Sequence, residues 1–305
     1  MNDHAFAPQI ASIPDQVRQG VAQALGVPTP TFSRLHGGTT DRTFRVADAE
    51  RQWVLRVETL PATQLPRAVA AQRLAQSARV AVPDIVAFEL PHAGSGYCWS
   101  LEHFLAGTAF DHSGFQNQAT RDAAHDLGRQ LRSLHTLEID GLGLIPREEV
   151  YPHRVERALD VIHAPAADRL VIERAYSFIK ASRPSAARLC KNDCAGTNIL
   201  VQHGKVAGII DWEWAWGGDP AWDIAYWQLH NNQPRALDYL IAGYQPDDPA
   251  ALRRRVTAQQ VACAIELISV FSENVQIFDQ AARNAGVRLQ QTRLAALIRR
   301  PEWEL

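Results

Sequence analysis

The stretch of sequence that decides the fold is 191–198, which reads KNDCAGTN, together with the motif DWE at 211–213. Between them lie two short apolar runs, 198–201 and 206–210, joined by a polar turn that contains glycine. Two such runs around a turn of this kind predict a β-hairpin. Because a hairpin returns the chain to its starting end, we expect the second motif to lie beside the first.

Three oxygen-bearing side chains meet at that end of the predicted hairpin: Asp193, Asn198 and Asp211. Phosphoryl transfer needs a carboxylate that receives the proton of the attacking hydroxyl, and it needs amide and carboxylate oxygens that hold Mg²⁺. The spacing from Asp193 to Asn198 equals that of the Asp and Asn in a kinase catalytic loop. Each residue alone could equally be a turn residue. Asp211 follows an apolar strand, where a carboxylate is costly without a partner, so the three together favour function.

The bulk composition sets limits on the class of protein. A chain of 305 residues is near the upper limit for one hydrophobic core, so two lobes that share a cleft are expected. The net charge of −2 gives no sign of a nucleic-acid or anionic-membrane partner. No apolar run is long enough to cross a bilayer, and the first residues do not form a secretory signal. Four scattered cysteines favour the reducing cytoplasm, and the spacing of Cys190 and Cys194 is not that of a zinc knuckle.

The pattern along the chain changes from strands to helices, which predicts an α+β protein. In the third predicted strand, alternation places Trp53, Leu55 and Val57 on one face and Val54 and Arg56 on the other. The predicted strands of the first third are 32–35, 43–47, 53–57, 80–88 and 97–104. The predicted helices are 14–25, 65–78, 122–137, 155–162, 170–179 and 221–297, the last with one break at 244–249.

The motifs resemble those of the aminoglycoside phosphotransferase and choline-kinase-like family. The resemblance rests on Asp193, the segment 198–200, the segment 208–213 and the segment 218–225. It implies a bilobal, protein-kinase-like fold with a small antiparallel-sheet N-lobe, 1–104, and a larger, mostly helical C-lobe, 105–305. It also implies that Asp193 is the catalytic base and that Asn198 and Asp211 bind Mg²⁺.

The same resemblance implies where the nucleotide binds. The segment 35–46 resembles the nucleotide-loop hairpin of the family, although an ordinary glycine turn explains these residues equally well. The adenine would lie against the connector at 102–105, through its backbone groups. The residues expected to contact the nucleotide are Gly37, Gly38, Thr39, Thr40, Arg56, Glu102 and Phe104.

Three positions depart from the family pattern. Arg56 stands where the family has a lysine that contacts the α- and β-phosphates, and an arginine keeps the charge with a different geometry. The helix acid that would pair with this cation should fall near Arg67 or Ala68, and neither residue is acidic. The segment Lys191-Asn192 replaces the usual His-Gly before the catalytic Asp. Arg56 could therefore be held by Glu58, by a phosphate, or by no side chain that the sequence identifies.

The acceptor pocket is expected in the helical region beyond residue 221. Glu266 and Glu273 lie a helical repeat apart and would suit a polyamine-like antibiotic, although a solvated helix face explains them more simply. The tryptophans between 212 and 227 could stack a sugar or surround a quaternary ammonium, but such residues more often fill a core. Asp219 is interpreted as a helix cap rather than as a brace for the catalytic loop.

The sequence therefore predicts an ATP- and Mg²⁺-dependent phosphotransferase, with GTP as an alternative donor, that acts on a hydroxyl of a small molecule. An aminoglycoside-like antibiotic, an amino alcohol or a sugar-like metabolite would fit as the acceptor. The competing hypothesis is a catalytically weak or inactive nucleotide-binding pseudokinase with a sensing or scaffolding role. A hydrolase that uses His135 or His203 has little support because no nucleophile-elbow pattern is present. The oligomeric state does not follow from the sequence.

Overall fold

The computed structural model describes residues 13–35, 43–59, 64–90, 96–111, 114–139, 166–182, 184–231, 233, 235–273 and 279–299. The strands are β1 (Thr31–Arg34), β2 (Thr43–Ala47), β3 (Gln52–Thr59), β4 (Ile85–Glu89), β5 (Tyr97–His103), β6 (Thr108–Ala109), β7 (Arg188–Cys190), β8 (Ile199–Gln202), β9 (Lys205–Ile209) and β10 (Trp216–Gly218). The helices are α1 (Asp15–Leu25), α2 (Leu65–Ser77), α3 (Gln118–Leu134), α4 (Ala166–Ala181), α5 (Ala221–Leu229), α6 (Ala236–Tyr244), α7 (Pro249–Glu273) and α8 (Gln280–Ile298).

A five-stranded antiparallel sheet forms the first part of the molecule, in the order β1-β2-β3-β5-β4. Trp53, Leu55 and Val57 of β3 are almost fully buried on one face, where they pack with Val17 and Val21 of α1. Burial of such side chains stabilises the folded state by about 1.5–3 kcal/mol each. The predicted alternation is confirmed, and it leaves Arg56 on the opposite face of the sheet.

Helix α2 begins at a cap that explains the position of Glu58. The Glu58 carboxylate accepts hydrogen bonds from the backbone N–H groups of Gln64, at 2.7 Å, and Leu65, at 3.2 Å. These N–H groups have no partner within the helix, and an acid near a helix N-terminus is also favoured by the helix dipole. Of the partners considered for Arg56, Glu58 is thus engaged elsewhere. Helix α2 then packs against the short 3-10 turn Trp212–Trp214.

The predicted hairpin is present as β8 and β9, and β6 pairs with β8 to make a three-stranded sheet. His203 and Gly204 both have positive φ, 51° and 73°, as a tight hairpin turn requires. Gly208 faces Leu105, and a Cβ atom at this position would overlap the leucine side chain. A second pair, β7 with β10, lies at the start of the 191–198 loop.

The rest of the chain is helical and encloses the larger core. Its buried residues come from α2 to α8, from strands β7, β8 and β9, and from the loops between them. The single break predicted within 221–297 is wrong, because the chain also leaves the helical conformation after Leu229 and is not helical at Asp279. At the first of these breaks Asn231 accepts a hydrogen bond from the backbone N–H of Gln233, which is a local turn that competes with the helix. At the second, Asp279 caps α8 through the N–H of Ala282.

The architecture is that of a bilobal α+β fold, with an antiparallel sheet followed by a mostly helical region, as the sequence predicts. The boundary between residues 104 and 105 stays a prediction, and the predicted helix 155–162 lies outside the described residues. Within the described ranges, no helix combines the length and the apolar character that crossing a bilayer requires.

Candidate active site

The loop after β7 brings Asp193 and Asn198 into contact. The Asn198 side-chain Nδ2 donates to Asp193 Oδ2 at 2.9 Å and to the Asp193 carbonyl at 3.2 Å. The loop ends in a 3-10 turn, Gly196–Asn198, which leads directly into β8. Because the amide nitrogen of Asn198 faces Asp193, its amide oxygen remains for a cation.

Asp211 follows β9 and lies next to this pair. The N–H of Ile210 donates to the Asn198 carbonyl at 2.9 Å, so the residues on either side of the hairpin are tied together at the backbone. Asp211 itself has a left-handed backbone, with φ 65°. The structure thus brings the three predicted residues to one end of the hairpin. An amide oxygen and a carboxylate at adjoining positions are ligands that fit Mg²⁺.

Arg56 lies on β3 and reaches across to this motif. Its Nη1 is 2.9 Å from Asp211 Oδ1 and 3.1 Å from Glu213 Oε1. Burial alone would lower the pKa of Arg56, but the carboxylates of Asp211, Glu213 and Glu102 outweigh it and raise the pKa. The guanidinium is therefore permanently charged. It joins the first sheet to the residue that we predicted as a metal ligand.

Glu213 takes the place of the helix acid that the sequence lacks. Its carboxylate pairs with Arg56, while its backbone carbonyl accepts from Arg67 of α2, with distances of 3.0 Å from Nε and 2.7 Å from Nη2. The Arg67 guanidinium also lies over the Trp216 ring, 5.4 Å from its centroid. No role for Glu213 or Arg67 was predicted from the sequence. The only available signal was the position of Glu213 two residues after Asp211.

Lys191 is fully buried and ties the two loops of the site together. Its Nζ donates to the Asp193 carbonyl at 2.9 Å and to the Asp211 carbonyl. The neighbouring Asn192 has φ 66°, a conformation that glycine adopts most easily and that asparagine tolerates. The lysine is thus not a solvated side chain, and its ammonium contacts main-chain carbonyls. It holds backbone oxygens on both sides of the site.

Asp223, on α5, holds the 191–198 loop through hydrogen bonds to its backbone. Its two oxygens accept the backbone N–H groups of Lys191 and Asn192, each at 2.7 Å. His135 contacts the same carboxylate through Nε2 at 3.1 Å, and its Nδ1 is 3.1 Å from the Tyr244 hydroxyl. His135 is therefore part of a buried structural network, which does not support its use in a hydrolase.

Asp219 has the structural role that its position before a helix predicts. Its Oδ1 accepts from the N–H of Ala221 at 2.9 Å at the start of α5. Its other contacts are to Arg255 and Gln259 of α7. These bonds join α5 to α7, and the loop at 191–198 is supported by Asp223 instead.

The cysteines supply neither a nucleophile nor an open metal site. All four are free and buried, and burial raises the pKa of the Cys194 thiol well above its ordinary value. Cys190 groups with His135 and Asp223 rather than with Cys194. In this group, both carboxylate oxygens of Asp223 already accept hydrogen bonds from backbone N–H groups of the 191–198 loop, so they are engaged as hydrogen-bond acceptors rather than as open metal ligands.

Only some of the residues predicted to contact the nucleotide are among the described residues. Gly37, Gly38, Thr39 and Thr40 lie outside the described residues. Glu102 is buried on β5, where burial raises the pKa of its carboxyl and Arg56 opposes the rise. Phe104 is 41% exposed at the connector, with Arg45 over its ring.

The acidic helix face considered for the acceptor, Glu266 with Glu273, stays a prediction, and a solvated helix face remains the simpler explanation. Glu266 lies close enough to Tyr176 of α4 to raise the pKa of that tyrosine, whose rise is due first to burial. The side chain of Glu273 lies outside the described side chains. Three of the tryptophans that could have stacked a ligand, Trp212, Trp222 and Trp227, are buried in the core.

The two-part fold and the residues grouped at its hairpin define a phosphotransferase of the kinase-like class. The chain belongs to the APH phosphotransferase enzyme family, whose model matches residues 31–255. No curated protein matches the chain at the level of sequence.

Solved structures share the whole fold at low identity. A choline/ethanolamine kinase family protein from Mesorhizobium loti is 18% identical, with a TM-score of 0.67 over 94% of this chain and 96% of that chain. Spectinomycin phosphotransferase, in complex with ADP and spectinomycin, is 14% identical, with a TM-score of 0.70 over 94% and 99%. Aminoglycoside 2'-phosphotransferase-IIIa, in complex with GDP, is 15% identical, with a TM-score of 0.65 over 93% and 99%.

Proposed function

We propose that this protein transfers the γ-phosphate of ATP, or of GTP as the alternative donor, to a hydroxyl group of a small molecule. The observation that carries the proposal is the hydrogen-bonded pair of Asp193 and Asn198 beside Asp211. Membership of the phosphotransferase family supports it. So do the fold relatives that hold ADP or GDP.

In this mechanism the acceptor oxygen attacks the γ-phosphorus, the bond from that phosphorus to the β-phosphate oxygen breaks, and the nucleoside diphosphate leaves. Asp193 receives the proton of the attacking hydroxyl, and the amide nitrogen of Asn198 fixes the orientation of its carboxylate. Asn198 and Asp211 would hold Mg²⁺, which supplies positive charge against the phosphates when it is bound. Arg56 would contact the nucleotide phosphates, and Lys191 keeps the two loops in register.

The acceptor would bind against the helical region, on the side of Asp193 away from the first sheet. Fold relatives in complex with spectinomycin and kanamycin support a small-molecule acceptor. A cytoplasmic location is part of the proposal, and it is supported by the four free cysteines. Neither a nucleic acid nor a membrane is proposed as a partner.

A nucleotide-binding pseudokinase is the second candidate, and one specific observation favours it. Arg56 forms an ion pair with Asp211 itself, so in the absence of nucleotide the cation competes with Mg²⁺ for the same carboxylate. Measurement of ADP release with a panel of hydroxylated acceptors separates the two functions. Nucleotide binding without turnover on any acceptor would favour the pseudokinase.

Substitution of Asp193 tests the assigned roles. Asp193→Ala should lower turnover by about 10²–10⁴-fold, the usual contribution of a general base, while nucleotide affinity stays close to that of the unaltered protein. Asp211→Ala should in addition lose the Mg²⁺-dependent part of nucleotide binding. ADP release and calorimetric titration with and without Mg²⁺ measure both effects. Asp122→Ala, at an exposed position of α3, is the control. Normal turnover by Asp193→Ala would show that the base is another residue.

A further inference from the structure

The guanidinium of Arg56 is held through one of its three nitrogens. Its Nη1 makes both ion pairs, to Asp211 Oδ1 at 2.9 Å and to Glu213 Oε1 at 3.1 Å. Among the described residues, none makes a hydrogen bond to Nε or Nη2 of Arg56. These two nitrogens form one edge of the planar group, and such an edge can bind two phosphate oxygens at once.

The two carboxylates at Nη1 would differ in their task once a metal ion is present. Under the proposed function, Asp211 is a ligand of Mg²⁺, and a carboxylate that binds a divalent cation is a weaker partner for a neighbouring arginine. Glu213 lies two residues further along, inside the 3-10 turn Trp212–Trp214. Of the two carboxylates, that of Glu213 would then be the one that still pairs with Arg56.

The backbone of Glu213 is held independently of its side chain. Arg67 of α2 donates to the Glu213 carbonyl from Nε at 3.0 Å and from Nη2 at 2.7 Å. Arg67 also donates to the Gln64 side chain, and its guanidinium lies over the Trp216 ring. Helix α2 therefore fixes the position of the residue whose carboxylate reaches β3.

These contacts form a closed circuit between β3 and α2. Glu58 of β3 accepts hydrogen bonds from the backbone N–H groups at the start of α2. Arg67 of α2 holds the Glu213 carbonyl, and the Glu213 carboxylate returns to Arg56 of β3. Both side chains of this ion pair are partly buried, so water screens their attraction only in part. A displacement of Glu213 should therefore move Arg56 as well.

We propose that Glu213 is the positioning residue for Arg56 in the nucleotide-bound protein. It keeps the guanidinium turned toward the phosphates while Asp211 binds Mg²⁺, and Arg67 fixes Glu213 from α2. The two carboxylates thus have different tasks, although both contact the same nitrogen of Arg56. This inference rests on the proposed function, of which it uses the binding of nucleotide and Mg²⁺ but not the transfer step.

Binding measurements on Glu213→Gln test the inference, because this change keeps the size of the side chain and removes its charge. In the presence of Mg²⁺, the affinity for a non-hydrolysable analogue of ATP or GTP should fall about 10-fold, and Glu213→Ala should lower it by up to about 100-fold. The affinity for the corresponding nucleoside, which has no phosphate, should stay the same. Half-maximal binding of the analogue should need a higher Mg²⁺ concentration, because Arg56 then pairs with Asp211 alone. Calorimetric titration measures these values, with Glu173→Gln at an exposed position of α4 as the charge-matched control.

A double substitution shows whether Glu213 acts through Arg56. In the Arg56→Met background, Glu213→Gln should change the affinity for the analogue by less than about 2-fold, because the side chain that it positions is gone. An undiminished loss in that background would mean that Glu213 contacts the metal or the nucleotide itself, and it would overturn the inference. An equal loss for the analogue and the nucleoside would also overturn it, since a purely structural role predicts that pattern. So would an unchanged affinity for the analogue in Glu213→Gln.

Arg67→Met tests the contribution of α2. It should lower the affinity for the analogue about 3- to 10-fold and leave that for the nucleoside unchanged, because Glu213 keeps its charge but its carbonyl loses two hydrogen bonds. Arg73→Met removes an exposed arginine from the same helix and should have no effect. An unchanged affinity for the analogue in Arg67→Met would show that α2 does not position Glu213.

Turnover is measured separately, so that failure of this inference is distinguished from failure of the proposed function. In an active protein, Glu213→Gln should raise KM for the nucleotide about 10-fold and leave KM for the acceptor unchanged. Loss of analogue affinity in Glu213→Gln, with no acceptor phosphorylated by the unaltered protein, would support the positioning role and favour the pseudokinase. Turnover by the unaltered protein, with normal analogue affinity in Glu213→Gln, would leave the phosphotransferase function intact and reject the positioning role.

Discussion

Lys191 connects the two loops of the site through a single side chain. The related catalytic loops have a histidine here, whereas this chain has an ammonium that reaches the carbonyls of Asp193 and Asp211. Both carbonyls belong to residues with assigned roles in the proposed mechanism. Lys191 thus helps to set the distance between the proposed base, Asp193, and the proposed metal ligand, Asp211.

Replacement of this lysine should impair both stability and turnover. Lys191→Met keeps the apolar stem and removes the donors, so two carbonyl oxygens lose their partner. We expect the free energy of unfolding to fall by about 1–3 kcal/mol, as for other buried polar groups that are left unsatisfied. Turnover should fall by up to about 100-fold, because small displacements of reacting groups are costly. Denaturant unfolding and ADP release measure the two effects.

Lys191→His is the informative comparison for that substitution, because it restores the residue type of the related loops and retains a donor. It should recover part of the lost activity. If the methionine variant were as stable and as active as the unaltered protein, the lysine would not be a positioning residue.

At the level of single residues, the contacts that could be predicted from the sequence are those between residues close together in the chain. Asp193, Asn198 and Asp211 stand on two motifs joined by a hairpin, so their proximity follows from local structure. The partners of Arg56 did not follow, because Glu213 is 157 positions away in the chain and meets Arg56 only through tertiary packing.

Among the helices, α3 and α6 approach each other closely enough to exclude side chains. A Cβ atom at Gly128 of α3 would overlap the Leu240 carbonyl oxygen, and one at Gly243 of α6 would overlap the His125 carbonyl oxygen. These atoms belong to the backbone and cannot rotate away. Both glycines are therefore required by the packing of the two helices, although glycine is a weak helix former.

Gly128→Ala should consequently destabilise the protein. In an exposed helix, a change from glycine to alanine would raise the free energy of unfolding by about 1 kcal/mol. Overpacking would instead lower it by about 1–3 kcal/mol. The sign of the change in stability therefore shows whether the new methyl group fits between the helices. Gly96→Ala, where no atom of the described residues lies within 4 Å of the new methyl group, is the control and should be almost neutral. Thermal unfolding of the two variants measures the difference. A stabilised Gly128→Ala would show that the helices can separate at no cost.

The elements themselves were predicted where the sequence has a clear period. The alternation in β3 and the glycine turn of the β8–β9 hairpin are local signals, and both elements are found at the expected residues. The break after α5 was missed although the sequence carries a signal for it, since 230–235 reads HNNQPR, a polar run with two asparagines and a proline. A side-chain turn that involves Asn231 and Gln233 interrupts the helix there.

Across the whole molecule, Arg56 joins the first sheet to the motif at 211–213. The side chains of Arg56 and Glu213 are 16% and 15% exposed, so the pair is neither solvated nor deeply buried. In the absence of a divalent cation, this guanidinium is the positive charge that keeps the carboxylates of Asp211 and Glu213 close together.

Removal of that charge should make stability depend on Mg²⁺. Without Mg²⁺, Arg56→Met should lower the free energy of unfolding by about 1–3 kcal/mol, because the carboxylates of Asp211 and Glu213 then repel each other. This magnitude lies between those of surface and buried ion pairs. Millimolar Mg²⁺ should restore more stability to this variant than to the unaltered protein. Melting temperatures with Mg²⁺ and with EDTA test this, with Arg73→Met on α2 as the charge-matched control. Identical Mg²⁺ responses would show that Arg56 does not compete with the metal.

The carboxylate of Asp223 has a consequence for the order in which substrates arrive. Asp223 of α5 accepts the N–H groups of Lys191 and Asn192, so the backbone of the 191–198 loop is set by α5. Under the proposed function, this part of the site would not need the nucleotide in order to form. We therefore expect the acceptor to bind either before or after the nucleotide, and a compound that mimics the acceptor to inhibit the protein with and without nucleotide.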